Sequence, residues 1–148
     1  IIQMDADLSH PPCILPKLLE LSQTYDMVLG SRWVDGGGTK NWSLIRQWIS
    51  KGGSFYARNL LQVPIRDLTG GFKCIRREVL EKINLDALQS AGYVFQIEVT
   101  YRALKAGFSA IETPILFTER KLGESKMSAS IVLEAILRVP MLRRGLTL

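Results

Sequence analysis

An α/β layered fold, with a largely parallel sheet and helices on its faces, is what the sequence predicts, on three observations. Short apolar, strand-like runs alternate along the chain with helically periodic segments. The 148 residues suit a single domain, and 47% hydrophobic content can fill its core. The first apolar run leads directly into an acidic cluster, and open α/β sheets bind ligands beyond the carboxyl ends of their strands. No internal repeat, low-complexity tract or linker divides the chain, so residues 1–148 read as one domain.

Residues 1–4 read as a buried strand that begins without a leader or capping segment, which suggests a piece of a longer protein. Ser9 suits a helix N-cap, and Pro11 and Pro12 suit a first turn, where a missing N–H costs little. In the helix predicted over 14–25, Ile14, Leu18, Leu21 and Tyr25 share one face. A strand over 27–29 follows, and Gly36-Gly37-Gly38 reads as a flexible loop. The long helix over 44–61 is expected to bury Ile45, Trp48, Ile49, Phe55 and Tyr56. Beside that stripe, Arg46, Ser50 and Gly53 fall at i, i+4 and i+7 on one face. Strands over 72–75 and 110–117 and helices over 79–83, 94–106 and 129–142 complete the pattern.

A net charge of +5 and a pI near 9.4 favour an anionic partner: nucleotide, lipid phosphate, anionic membrane or nucleic acid. Nucleic acid is disfavoured, because no binding motif is present and aromatics are not interleaved with Lys and Arg. Cys13 and Cys74 form no CxxC or Cys/His grouping, so neither zinc nor a disulfide framework is expected, and a reducing cytosolic setting fits. No apolar run reaches the roughly 18–20 residues of a membrane span and no signal peptide is recognisable. The segment is expected to be soluble or peripheral.

Asp5-Ala6-Asp7 places two hard oxygen ligands one residue apart after a strand, a spacing that can share a divalent cation with a diphosphate; a turn using Asp as a cap is the plainer reading. His10 can serve as a metal ligand or as a structural hydrogen-bonding group in the turn. Arg32, after the second strand, can pair with phosphate or with Asp5 or Asp7. Arg46, Ser50 and Gly53 offer a fork, a hydroxyl and a close backbone approach for an oxyanion, or an ordinary exposed face. Arg120 and Lys126 flank Gly123 in a polar loop, either closing over phosphates or forming a solvated charge run. Asp67 can cap a Gly-rich turn, and Glu98 can pair with Arg102 one helical turn on.

Taken together, Asp5-Ala6-Asp7-Leu8-Ser9-His10-Pro11-Pro12, Gly30-Ser31-Arg32, Asp67-Leu68-Thr69-Gly70-Gly71-Phe72 and residues 119–127 (ERKLGESKM) resemble the motifs of the dolichol-phosphate or polyprenol-phosphate mannose synthases. Asn41-Trp42, residues 46–53 (RQWISKGG) and residues 92–98 (GYVFQIE) are similar to the same family, particularly its bacterial members. These are inverting family 2 glycosyltransferases with a GT-A fold. The resemblance runs in order over nearly the whole chain. It implies transfer of mannose from GDP-mannose to a polyprenyl or dolichyl phosphate, dependent on Mg²⁺ or Mn²⁺. Asp5 and Asp7 would hold the metal, with Ser9 standing where the family often has a metal-contacting Gln. Arg46 and Ser50 would bind the acceptor phosphate, and Arg32, Arg120 and Lys126 would offset phosphate charge. Asp67 and Glu98 would organise the substrate site. The family's N-terminal βα region, which holds the nucleotide base, has no counterpart here, so a UDP-glucose or UDP-N-acetylhexosamine donor stays open. A lipid acceptor implies a membrane surface, met on its cytoplasmic side by a peripheral enzyme. The final helix supplies apolar residues (Ile131, Leu133, Ile136, Leu137, Val139, Met141 and Leu142) beside Arg138, Arg143 and Arg144, for an interfacial face or for packing. Readings from other classes are a basic anion-binding module without chemistry and a metal-dependent phosphohydrolase.

Overall fold

The computed structural model describes residues 1–88, 92–119 and 129–144. Four strands form the main sheet: β1 (Ile2–Gln3), β2 (Met27–Ser31), β4 (Lys73–Ile75) and β5 (Ala110–Pro114), in the order β1-β4-β2-β5. A second, two-stranded sheet pairs β3 (Gly38–Lys40) with β6 (Leu116–Thr118). The helices are α1 (Leu15–Leu21), α2 (Leu44–Leu61), α3 (Arg77–Ile83), α4 (Gly92–Lys105) and α5 (Ala129–Arg144).

The sheet is less parallel than the alternating pattern suggests. β2 runs parallel to β5, and β3 to β6, but β4 runs antiparallel to both β1 and β2. A crossover helix enforces parallel pairing only between the strands it links, and the long path through α2 lets the chain re-enter the sheet reversed. The first strand is an edge strand, so Ile1 is exposed rather than buried.

Side chains alternate across the sheet as strand geometry demands. Val28, Phe72, Cys74 and Ile115 face α1 and pack with Leu18. Met27, Leu29 and Ile75 face the other way, into a larger core with Ala57, Leu61, Val79, Ile83 and Ile97 from α2, α3 and α4. Lys73 shares that second face and is fully buried. Its Nζ donates to the Gln96 carbonyl at 2.8 Å and to Thr100 Oγ1 at 3.0 Å. Burial pushes its pKa down to about 7, with the Asp67 carboxylate acting weakly in the opposite direction. Between pH 7 and the ordinary lysine value the unfolded chain therefore holds the extra proton. Stability should rise with pH across that window. Urea unfolding from pH 7 to 10 is expected to show this rise in the native chain and a flatter profile in Lys73→Met; equal slopes would remove Lys73 as the cause.

α2 is turned opposite to the expectation. Its buried residues are Ser50, Ser54, Ala57 and Leu61. Ile45, Trp48, Ile49 and Phe55 lie outward, with Ile45 73% and Trp48 75% exposed. Only Tyr56 of the expected stripe is partly buried. Small residues on the inner face leave room beside α4 and α5, and that room becomes a cavity described below. α5 carries Pro140, which has no N–H to offer the carbonyl of Ile136 four residues before it. The Tyr56 hydroxyl donates to that oxygen instead, at 3.0 Å, tying α2 to α5. Val139 of α5 is buried, while Ile136 and Leu137 are exposed, so this helix packs with one face and shows another. The side chains of Ile131 and Leu133 lie outside the described residues.

The triple glycine is a tight turn rather than a flexible loop. A Cβ on Gly37 would sit 2.6 Å from the Ser31 carbonyl oxygen, the Gly37 N–H donates to Val34 O at 2.9 Å, and Gly38 already belongs to β3.

Candidate active site

The carboxyl ends of β1, β2 and β5 lie on one edge of the sheet, and because β4 is reversed, the Asp67–Gly71 loop that leads into it reaches the same edge. A small polar pocket forms there, lined among others by Asp5, His10, Arg32, Arg46, Thr69 and Gly71.

The loop after β1 is shaped by its own side chains. Leu8 takes a left-handed backbone (φ 63°), uncommon for leucine and the kind of strain that gathers at functional sites. The Asp5 N–H donates to His10 Nδ1 at 2.9 Å, and the Ser9 N–H donates to Asp7 Oδ1 at 3.0 Å. His10 is therefore a structural turn residue. Its ring stacks on Phe72 at 4.9 Å and meets the edge of Phe117, and burial lowers its pKa against the opposing pull of Asp5. Ser9 caps no helix: Pro11 occupies the N-cap place of the first 3-10 turn, with no side-chain cap. The Ser9 hydroxyl is buried and has no hydrogen-bond partner among the described residues.

Arg32 and Asp67 belong to each other. Arg32 donates through Nε and Nη2 to the two oxygens of Asp67, each at 2.7 Å, and through Nη2 to Thr69 Oγ1 at 2.9 Å. The Arg32 main-chain N–H also reaches Asp67 Oδ2. Both side chains are buried, and the guanidinium lies among the rings of Trp33, Trp42 and Phe117. The salt bridge weighed for Arg32 exists, but with Asp67 and not with Asp5 or Asp7. Asp67 is thus a clamp between β2 and the Gly-rich loop, and its carboxylate is closed to a substrate. Glu112 of β5 anchors that loop in turn, accepting from the main-chain N–H groups of Arg66 and Asp67 at 2.8 Å each.

Arg46 and Ser50 do share the inward face of α2. The Arg46 guanidinium sits 3.9 Å from the centre of the Trp42 ring and donates to Glu119 at 2.8 Å. Its Nε is buried without a partner among the described residues, as is Ser50 Oγ. Ser54 Oγ shares a hydrogen bond with Thr69 Oγ1. Behind Ser50 lies an apolar cavity of about 460 Å³ between α2, α4 and α5, lined among others by Ile49, Ser50, Gly53, Tyr56, Ile97 and Val139. A Cβ on Gly53 would meet nothing within 4 Å, so this glycine opens the cavity. Thr69 and Tyr93 line both chambers.

Glu98 stands apart. It is buried on α4, accepts from Arg102 through Oε1 at 2.6 Å, and lines neither chamber; its buried Oε2 has no hydrogen-bond partner among the described residues. Arg120 and Lys126 lie outside the described residues. The roles of Glu112, Glu119 and Phe117 were not legible beforehand, since each acts through a partner far away in sequence.

Among the described residues no group of three or more His, Cys, Asp or Glu could enclose a metal ion. Two carboxylates in one loop, with the unpartnered Ser9 hydroxyl beside them, suit a hard cation whose remaining ligands come from phosphate and water, the usual manner of Mg²⁺.

The family described as "Glycosyl transferase family 2" matches residues 1–84. A "Polyprenol monophosphomannose synthase" of Mycolicibacterium smegmatis is 50% identical over 140 residues, covering 94% of this chain and 53% of the relative. An "Undecaprenyl-phosphate mannosyltransferase" of Micrococcus luteus is 48% identical over 139 residues, covering 94% of this chain and 57% of the relative. The chain thus spans little more than half the length of these relatives.

Proposed function

Because the chain belongs to glycosyl transferase family 2, we propose that the whole protein transfers mannose from GDP-mannose to a polyprenyl phosphate, inverting the anomeric configuration. The observation that carries this reading is the joining of two chambers of opposite character. A polar pocket holding Asp5 and Arg46 shares Thr69 and Tyr93 with an apolar cavity of about 460 Å³. A phosphate head with a long hydrocarbon tail matches that pair, whereas a sugar or nucleotide acceptor would leave the cavity unused.

In this reading Arg46, steadied by Trp42 and Glu119, pairs with the acceptor phosphate, and the Ser50 hydroxyl donates to it at the cavity mouth. Holding the oxygen nucleophile in place supplies much of the rate gain. A phosphate monoester is already anionic near neutral pH, so no general base is required, in keeping with Glu98 being occupied by Arg102. Asp5 and Asp7 would hold Mg²⁺ or Mn²⁺, with Ser9 adding a contact directly or through water; such a cation, when bound, neutralises the departing diphosphate. On the sequence, Arg120 and Lys126 are assigned to the same charge balance. Arg32, locked to Asp67, contributes positive potential and loop rigidity rather than a free fork.

A lipid substrate brings the protein to a membrane surface, which we place on the cytoplasmic side. No helix among the described residues is long and apolar enough to cross a membrane. Leu44, Ile45, Trp48, Ile49 and Phe55 of α2 and Ile136 and Leu137 of α5 are all exposed, and Ile49 and Ile136 also line the apolar cavity. Exposed apolar side chains on two helices of a chain with net charge +5 suit anionic lipid. Trp48→Ser is expected to weaken binding of the full-length protein to phosphatidylglycerol vesicles by about tenfold, the effect of losing roughly 1.4 kcal/mol of apolar burial. Unchanged sedimentation with vesicles would move the membrane face elsewhere.

The deciding assay supplies full-length protein with labelled GDP-mannose and a short polyprenyl phosphate. Lipid-phase label that needs a divalent metal supports transfer; free mannose or nucleotide without labelled lipid would replace it with a hydrolase. Label from UDP-glucose or a UDP-N-acetylhexosamine in place of GDP-mannose would reassign the donor. Salt-sensitive anion binding without turnover would leave only a binding module.

A further inference from the structure

Gln96, in the GYVFQIE run, lines neither chamber, yet its amide lies close to Gly71, which lines the polar pocket. Gly71 has no side chain, and the space where its Cβ would stand is ringed by three groups. Gln96 Nε2 lies 3.7 Å from that point, Asp5 Oδ1 3.8 Å and His10 Cε1 3.9 Å. Gln96 Oε1 is buried and has no hydrogen-bond partner among the described residues, although the Gln96 main-chain carbonyl takes bonds from both Lys73 and Thr100. A buried amide oxygen left without a donor costs about 1–3 kcal/mol, so a folded chain that retains one beside a pocket has a use for it.

The niche beside Gly71 sets one acceptor, the Asp5 carboxylate oxygen, against one donor, the Gln96 amide N–H. A phosphate oxygen fits badly there, since it brings no proton to the Asp5 carboxylate. A group that both donates and accepts fits well. We infer that Gln96 and Asp5 flank a subsite for an O–H ligand over Gly71, which makes Gln96 a substrate-positioning residue. This rests on the transferase reading, and two sources share the chemistry: a hydroxyl of the transferred sugar, or a water carried by the Asp5-bound cation.

Gln96→Leu keeps the size and leaves the Lys73 bond to the main chain intact, so its unfolding midpoint serves as the folding control. With full-length protein, the variant is expected to lower kcat/KM for GDP-mannose by about tenfold, the loss of one hydrogen bond. If a sugar hydroxyl is the ligand, one monodeoxy GDP-mannose will be used equally by native and variant protein, while the others keep the tenfold gap. If the ligand is metal-bound water, every deoxy donor will keep the gap, and Mn²⁺ affinity without donor, read from the EPR signal of free Mn²⁺, will fall about tenfold. A packing role alone would lower all donors together and leave Mn²⁺ binding unmoved, and that result overturns the inference. Should the native protein make no mannolipid, the transferase reading fails by itself; the Mn²⁺ titration then decides the niche, a fall supporting it and no change removing it.

Discussion

Asp67→Ala is expected to destabilise the protein by about 3–5 kcal/mol, because it strands a buried guanidinium. Arg32 makes three of its hydrogen bonds to the Asp67 carboxylate, two from the guanidinium and one from the main chain. Asp67 is wholly buried, so water cannot replace it. Domains of this size hold roughly 5–15 kcal/mol in total, and a loss on that scale leaves little margin at body temperature. The paired replacement Arg32→Met with Asp67→Leu removes both charges and should recover most of the loss in urea unfolding. If Asp67→Ala costs under about 1 kcal/mol, below the range for a broken buried pair, the clamp is not what holds the loop.

Asp5→Asn should give the largest loss of activity with the smallest change of shape. The substitution keeps the side chain's size, and the contact that orders the loop, from the Asp5 N–H to His10, belongs to the main chain. What disappears is a negative charge facing the polar pocket. Loss of cation binding there should lower mannolipid formation by about 100-fold or more, equivalent to several kcal/mol of charge stabilisation. The unfolding midpoint should stay within about 0.5 kcal/mol, as for other isosteric changes outside the core. Retained turnover with native Mn²⁺ dependence would dismiss Asp5 as a metal ligand. Asp7→Asn is a less clean test, because Asp7 also accepts the Ser9 N–H.

The layered α/β plan and the bounds of the long helix were legible because hydrophobic period and apolar runs report secondary structure directly. The 44–61 helix was placed at the residues it occupies. Its orientation was not, since a rule that buries large apolar residues cannot anticipate a cavity lined by Ser50 and Gly53 or a surface of Trp48 and Phe55 turned outward. That Arg46 and Ser50 share a face was readable from their four-residue spacing, but that this face turns inward was not. Pairings across the chain were beyond reach: Arg32 meets a carboxylate 35 positions away, and Arg46 one 73 positions away. Lys73 breaks the burial rule outright, and only the tertiary placement of Gln96 and Thr100 explains it. The reversed β4 escaped notice because direction leaves no trace in periodicity.

That reversal also divides the chain by how freely its loops can change length. The segment before β4 borders the polar pocket, in contact with Gly30, Arg32 and Asp5, so an added residue there would displace several contacts at once. The segment after β4, from Arg76 into α3, emerges at the far edge of the sheet, where Arg76 grips the Ser22 and Gln23 carbonyls. Growth at that end leaves the chemistry untouched. A single strand running backwards thus separates an end of the sheet packed against the polar pocket from one clear of it.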